Sequence, residues 1–163
     1  MGRARDHRTG AAPREIVAER GLPSSSRRLL AAALSCPRLE RMAFLDGPTW
    51  LSKAERAAKT LRATTRNAKG AKHSVYVVLL HDPRRADPWG LYVGQTSRDP
   101  DLRFDQHKTG YKASGAARRF GVRLIPALTE HLNPLRQWES LDLEAALAEA
   151  LLRAGVPWVE GGH

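Results

Sequence analysis

GLYVGQTSRDPDLRFDQHKTG, residues 90–110, carries a strand, a turn and a helix in one short stretch. Its first seven residues are rich in strand-favouring types and end on a polar turn. Asp99 then supplies a helix N-cap and Pro100 a proline at the first helical position. The helix so opened runs to Lys108 or Thr109, and Gly110 closes it. The fold is therefore mixed, with short elements.

Working outward, SVYVVLLH (Ser74–His81) is a continuous apolar run and reads as a buried strand. The segment before Gly90, DPRRADPW, holds two prolines, so the two strands form a hairpin with a long turn. Residues 115–120 predict a short helix stopped by Gly121. Residues 122–129 predict a third strand, placed at a sheet edge by Pro126. Residues 141–154 predict an amphipathic helix ended by Gly155, with Pro157 beyond it. A short extended tail, residues 156–159, adds an edge strand. The order β-β-α-α-β-α predicts an α/β (α+β) sandwich. Its sheet is mostly antiparallel, three-stranded and flanked by helices.

Upstream, residues 52–69 predict a helix with a Ser52/Glu55 capping box and a stop at Gly70. Lys53, Arg56, Lys59, Arg62, Arg66 and Lys69 recur every three or four residues, making a loose basic stripe. The chain's net charge is +10, and its excess is uneven. Residues 1–70 hold 15 basic and 6 acidic residues, whereas residues 71–163 hold 12 and 11. Three segments follow: a disordered basic extension at 1–41, a basic helical segment at 42–72 and a near-neutral domain at 73–163. A weak helix is expected at 27–34, and Met42 offers a second translation start. Such a basic excess suits a phosphate-rich partner as well as a solvated tail. The single Cys36 excludes an intramolecular disulfide and a multi-cysteine metal site, which suits a reducing, cytoplasmic setting. The apolar run 29–34 is too short for a signal core, and no apolar stretch is long enough to span a membrane.

Four groups of residues carry possible chemistry. On the final predicted helix, Leu141, Leu147, Leu151 and Leu152 cluster in one direction, and Glu144 points among them. A carboxylate there needs a cation, a metal or a proton, since burying an unpaired charge is costly; a structural salt bridge would also serve. Arg103 and His107 lie four residues apart on one helical face. They can clamp a phosphate and move a proton, or simply make a polar surface. Tyr76 and Tyr92 sit on the two hairpin strands, where tyrosines usually pack. As a base, a phenol needs a nearby cation, because its ordinary pKa is about 10. Gly94 would let the backbone turn close to a ligand. His73, His81 and His131 show no ligand spacing and are read as surface residues.

Taken together, these residues resemble the GIY-YIG nuclease family over residues 74–155. Ser74-Val75-Tyr76 matches the family's first motif without its glycine, and Tyr92-Val93-Gly94 matches the second. Arg103 and His107 fall where the family has its catalytic arginine and a frequent histidine, and Glu144 where it has its metal-binding glutamate. The segment between the motifs is longer than is usual. The late asparagine of the family is missing from VPWVEGGH, and Asn133 precedes the helix. The resemblance implies metal-dependent hydrolysis of nucleic acid, DNA in the first instance, with structure- or partner-directed cutting. Glu144 would hold one Mg²⁺ or Mn²⁺, Arg103 would stabilise the phosphate, and Tyr76 would take a proton from water. Tyr92 would orient water or phosphate, and His107 would relay a proton or contact phosphate. Gly94, Lys53, Arg56, Lys59, Arg62, Arg66 and Lys108 would meet the substrate. The alternative is a nucleic-acid-binding module of the same fold that has lost catalysis.

Overall fold

The computed structural model describes residues 48–162. The basic extension, the helix expected at 27–34 and Met42 lie outside the described residues. Helix α1 (Leu51–Ala58) leads into strands β1 (Ser74–His81) and β2 (Trp89–Thr96). Helices α2 (Pro100–Thr109) and α3 (Gly115–Phe120) follow, then β3 (Gly121–Leu124) and a 3₁₀ turn (Pro126–Leu128). Helix α4 (Gln137–Arg153) and β4 (Val159–Gly161) complete the order. The sheet has four strands in the order β3-β1-β2-β4, not the expected three. β1 pairs antiparallel with β2 and β3, and β2 pairs parallel with β4. The fourth strand starts at Val159, so the expected tail is shifted along the chain.

The alternation along β1 divides the molecule into two layers. Val75, Val77 and Leu79 face one way and join Leu91 and Val93 of β2. That face is covered by α1 through Ala54 and Ala58, by Leu128, Leu132 and Leu135, and by α4 through Leu143, Leu147 and Leu151. Tyr76, Val78 and Leu80 face the other way and meet Phe104 of α2, Trp158 and Phe120. Because Ala54 and Ala58 share the main core, the folded unit begins upstream of residue 73. Gly90 lies flat under Trp158, where a Cβ would fall 2.4 Å from the indole ring. Among the described residues no helix is long and apolar enough to cross a membrane.

The local signals around α2 hold as read. Asp99 Oδ1 accepts from the backbone N–H groups of Asp101 at 2.9 Å and Leu102 at 3.3 Å. Gly110 closes the helix at φ 92°, a conformation that costs other residues a Cβ clash. The hairpin turn is clasped by Asp82, whose carboxylate takes two hydrogen bonds from the Arg84 guanidinium at 2.8 and 2.9 Å.

Three expectations are corrected. The basic helix stops at Ala58 rather than 69, and its N-cap is Trp50, so Ser52 and Glu55 form no capping box. Further along, a long-range contact rules out a helix: the Glu139 carboxylate takes hydrogen bonds from the backbone N–H and hydroxyl groups of both Thr64 and Thr65. Those amides therefore turn to α4 instead of bonding along a helix. The third strand ends at Leu124, because Pro126 has no N–H for the ladder and starts the 3₁₀ turn. On α4 the buried side is Ser140, Leu143, Glu144, Leu147, Ala148 and Leu151. Leu141 and Leu152 are exposed, so the expected apolar stripe was rotated, although Glu144 does face inward.

Burial works against the Glu139 charge, but its four donors win and hold it down to about 2 from an ordinary 4.5. Its folded value is depressed, so its contribution to stability is complete above about 4.5 and is lost as pH falls toward about 2. Glu139→Gln should cost roughly 2 kcal/mol at neutral pH, because an amide cannot accept from all four donors. Urea unfolding of both proteins across pH should show this gap closing below about 4.5. A gap independent of pH would mean that the charge is not what anchors Thr64 and Thr65.

Candidate active site

The β1–β2 register sets Tyr76 opposite Gly94 and Val78 opposite Tyr92. Tyr76 and Tyr92 therefore emerge on one face as diagonal neighbours, with ring centroids 6.1 Å apart. Gly94 makes this possible. A Cβ there would lie 2.8 Å from the Tyr76 Cζ and hydroxyl oxygen and 2.9 Å from Tyr92 Cε1. Its role is thus to admit two phenols inside a strand, not to turn the backbone toward a ligand.

Helix α2 crosses the same face and is anchored by buried Phe104. One turn later His107 is fully buried. Its Nε2 lies 2.7 Å from the Tyr76 hydroxyl oxygen, and its Nδ1 accepts the Ser114 backbone N–H at 2.9 Å. These two contacts fix the tautomer. Nδ1 has no proton because it accepts, so the neutral ring carries its proton on Nε2 and donates it to Tyr76. The proton of Tyr76 must then point elsewhere. The ring is also edge-on to Tyr92, with centroids 5.4 Å apart. Burial, reinforced by Arg103, pulls the His107 pKa down to about 4.

Arg103 completes this wall. Its guanidinium donates to the backbone carbonyls of Tyr111 at 3.4 Å and Lys112 at 2.9 Å, and reaches Gln106 Oε1 at 3.5 Å. Neutral acceptors orient the fork without cancelling its charge. Burial pushes the Tyr76 hydroxyl well above the ordinary phenol range, Tyr92 adds to this, and Arg103 opposes it. Burial also raises Tyr92; hydrogen bonding to Tyr76 offsets part of that, and the Glu144 charge adds to it.

Glu144 comes from α4, the layer on the other side of the sheet, yet its charge acts at Tyr92. The tip of β4 explains how the two layers come so close. A Cβ on Gly161 would stand 1.9 Å from the Val93 carbonyl oxygen and 3.3 Å from the Tyr92 ring, and one on Gly162 2.5 Å from Ala148 of α4. Two glycines therefore let helix and strand meet at this corner. Among the described residues no group of three or more His, Cys, Asp or Glu side chains gathers around a common point. An ion enclosed by protein ligands has no cage here. A hard cation that keeps most of its waters would need only one carboxylate from the protein, which Glu144 could supply.

The remaining predicted residues lie apart. Lys53 and Arg56 are exposed on α1 and Lys59 caps it, in the layer across the sheet from the tyrosines. Arg62 bonds back to the Lys59 and Leu61 carbonyls, and Arg66 to the Asn133 carbonyl at 3.2 Å. They form no stripe along one helix. Lys108 is tied to the carbonyls of Arg118 at 3.3 Å and Gly121 at 2.9 Å, bracing α2 against α3. His73, His81 and His131 are half-buried rather than surface residues; His131 donates Nε2–H to the Ala58 carbonyl at 3.1 Å, and the His81 ring packs at a tilt against Trp89. Two contributors had no visible signal in the sequence. Ser114 acts through its backbone N–H, which any residue but proline has. Asn133 bonds the N–H and C=O of Val75 at 2.9 and 2.8 Å, steadying β1 next to Tyr76.

Two measurements probe this geometry. The His107 ring, followed by NMR, should stay neutral through pH 6.5 and titrate near 4. Since its folded value is depressed, its contribution to stability is full above 6.5 and falls as pH drops toward 4, where an imidazolium would break the Ser114 bond. A midpoint at 6.5 would refute the assigned tautomer. Gly94→Ala should lower stability by about 1–3 kcal/mol in thermal unfolding, because the added methyl forces the phenols apart. An unchanged midpoint would mean that the pair is not tightly packed.

Comparisons with protein-family models, with curated proteins and with solved structures found no match. What the site does has to be read from its own geometry and chemistry.

Proposed function

We propose that the chain is a metal-dependent nuclease of GIY-YIG type, hydrolysing phosphodiester bonds in nucleic acid, DNA in the first instance. The observation that carries this reading is the convergence of two phenols, a neutral imidazole and an oriented guanidinium on one face. An oriented cation beside proton-carrying groups suits an anionic reaction centre better than it suits packing.

Glu144 would hold one Mg²⁺ or Mn²⁺, which when bound supplies positive charge next to the scissile phosphate. Arg103, already held by the Tyr111 and Lys112 carbonyls, binds the phosphate and stabilises the charge that builds there. His107 donates Nε2–H to the Tyr76 oxygen, and the Tyr76 hydroxyl shares a hydrogen bond with Tyr92, so imidazole and phenols form one proton-carrying chain. Burial keeps that phenol neutral in the protein alone. It could take a proton from water only as the phenolate, after passing its own proton to solvent, which positive charge next to it, part of it from Arg103, would favour. Tyr92 orients the water or the phosphate. His107 is thus a donor that holds Tyr76, and the neutral ring needs no proton of its own from solvent. The exposed Lys53 and Arg56, on the opposite layer, serve a strand that wraps around the domain rather than one confined to the tyrosine face.

The test is cleavage of plasmid and branched DNA with Mg²⁺, comparing the wild type with Glu144→Ala, Arg103→Ala and Tyr76→Phe. Each variant should lose about a hundredfold or more of the rate. Wild-type nicking no faster than that of the variants would sink the enzyme reading. Tight, salt-sensitive binding with no cleavage would select the binding-module alternative instead.

A further inference from the structure

β3 leaves the sheet early, and this opens a cleft. Its last ladder bond runs from the Ile125 N–H to the Val77 carbonyl at 2.9 Å, after which Pro126 turns the chain away. The Ser74–Val77 end of β1 is left without a strand on that side. The resulting cavity of about 370 Å³ reaches Tyr76. Its walls include Leu124, Ile125, Pro126 and Pro134, which are apolar, with Pro100 at the start of α2. Its size falls in the range of small-ligand sites, about 300–1,000 Å³.

The polar groups of the cleft limit what enters. Asp101 and Glu130 both line it, so it accepts hydrogen bonds and repels a phosphate. Thr129 also lines it and is 3 % exposed. An apolar slot with carboxylate acceptors fits a flat, neutral group bearing N–H donors. Tyr76 belongs both to this cleft and to the cluster with Arg103 and His107. A phosphate at Arg103 would therefore have its neighbouring nucleotide at the mouth of the cleft.

We propose that this cleft receives an unpaired nucleobase next to the phosphate held at the Tyr76–Arg103 site. This rests on the nuclease reading above and narrows its substrate to strands with an unpaired nucleotide at the cut. A paired base cannot enter without leaving its stack, and an already unpaired one enters at less cost. Apolar contact with the base face adds affinity with little dependence on sequence.

The experiment uses the full chain and three DNA duplexes, without divalent metal so that no strand is cut. One duplex is fully paired, one has a single unpaired nucleotide, and one has an abasic residue in its place. The unpaired base should bind roughly tenfold more tightly than the abasic residue. Leu124→Trp, which fills the cleft, should remove that difference. Equal affinity for base and abasic DNA in the wild type would overturn the proposal while leaving the nuclease reading intact. So would a folded Leu124→Trp protein that keeps the preference. Binding to none of the three at moderate salt would overturn both.

Discussion

The site depends on the register of one hairpin. A strand's side chains alternate between faces, so a one-residue slip of β1 against β2 would send Tyr76 across from a residue of the other layer. The ladder pairs eight residues of each strand, from Ser74↔Thr96 to His81↔Trp89. Both faces hold it in place. Val75, Val77 and Leu79 are locked into the main core, and Val78 and Leu80 into the second. Gly94 then has to stand opposite Tyr76, because no other residue leaves room for the phenol. Register, glycine and tyrosine pair are thus one constraint seen three ways.

On that frame the second layer works as a rigid proton-bearing wall. The chain of contacts from Ser114 N–H through the imidazole to the Tyr76 oxygen runs in one direction, each group donating to the next. Such an arrangement is costly to bury unless every member is satisfied. It is satisfied here from backbone on one side and phenol on the other. Arg103 is similarly set by main-chain carbonyls, so its direction depends on the loop after α2 rather than on a mobile carboxylate. The first layer contributes a single charge, Glu144, at the corner where two glycines thin the wall between layers.

What was legible in the sequence was what is local. The Asp99 cap, the Gly110 stop and the two-strand hairpin depend on neighbours within a few residues. The inward direction of Glu144 followed from helical spacing, although the phase of the apolar stripe did not, since Leu141 and Leu152 are exposed. What was not legible depends on residues far apart. The turn at Thr64 and Thr65, where a longer helix was expected, is held by Glu139, some 75 residues beyond Thr64, and no local signal announces it. The role of His107 depends on a backbone amide, which carries no residue identity. Gly94 was recognised as a place of close approach, but only the ladder reveals that the approaching group is Tyr76.

Asn133 has a consequence for the molecule's solubility. Beside it, this side of β1 has only the isolated His73↔Leu135 bridge, and ladder groups left without a strand are where sheets of different molecules join. The Asn133 amide offers Val75 a donor and an acceptor at strand-like spacing. It acts as a strand one side chain long, blocking edge-to-edge growth while leaving the neighbouring space open. A longer β3 would guard that edge equally well, but it would fill the space beside Tyr76. A side chain in place of a strand thus caps the ladder groups of Val75 and leaves the space beside Tyr76 unfilled.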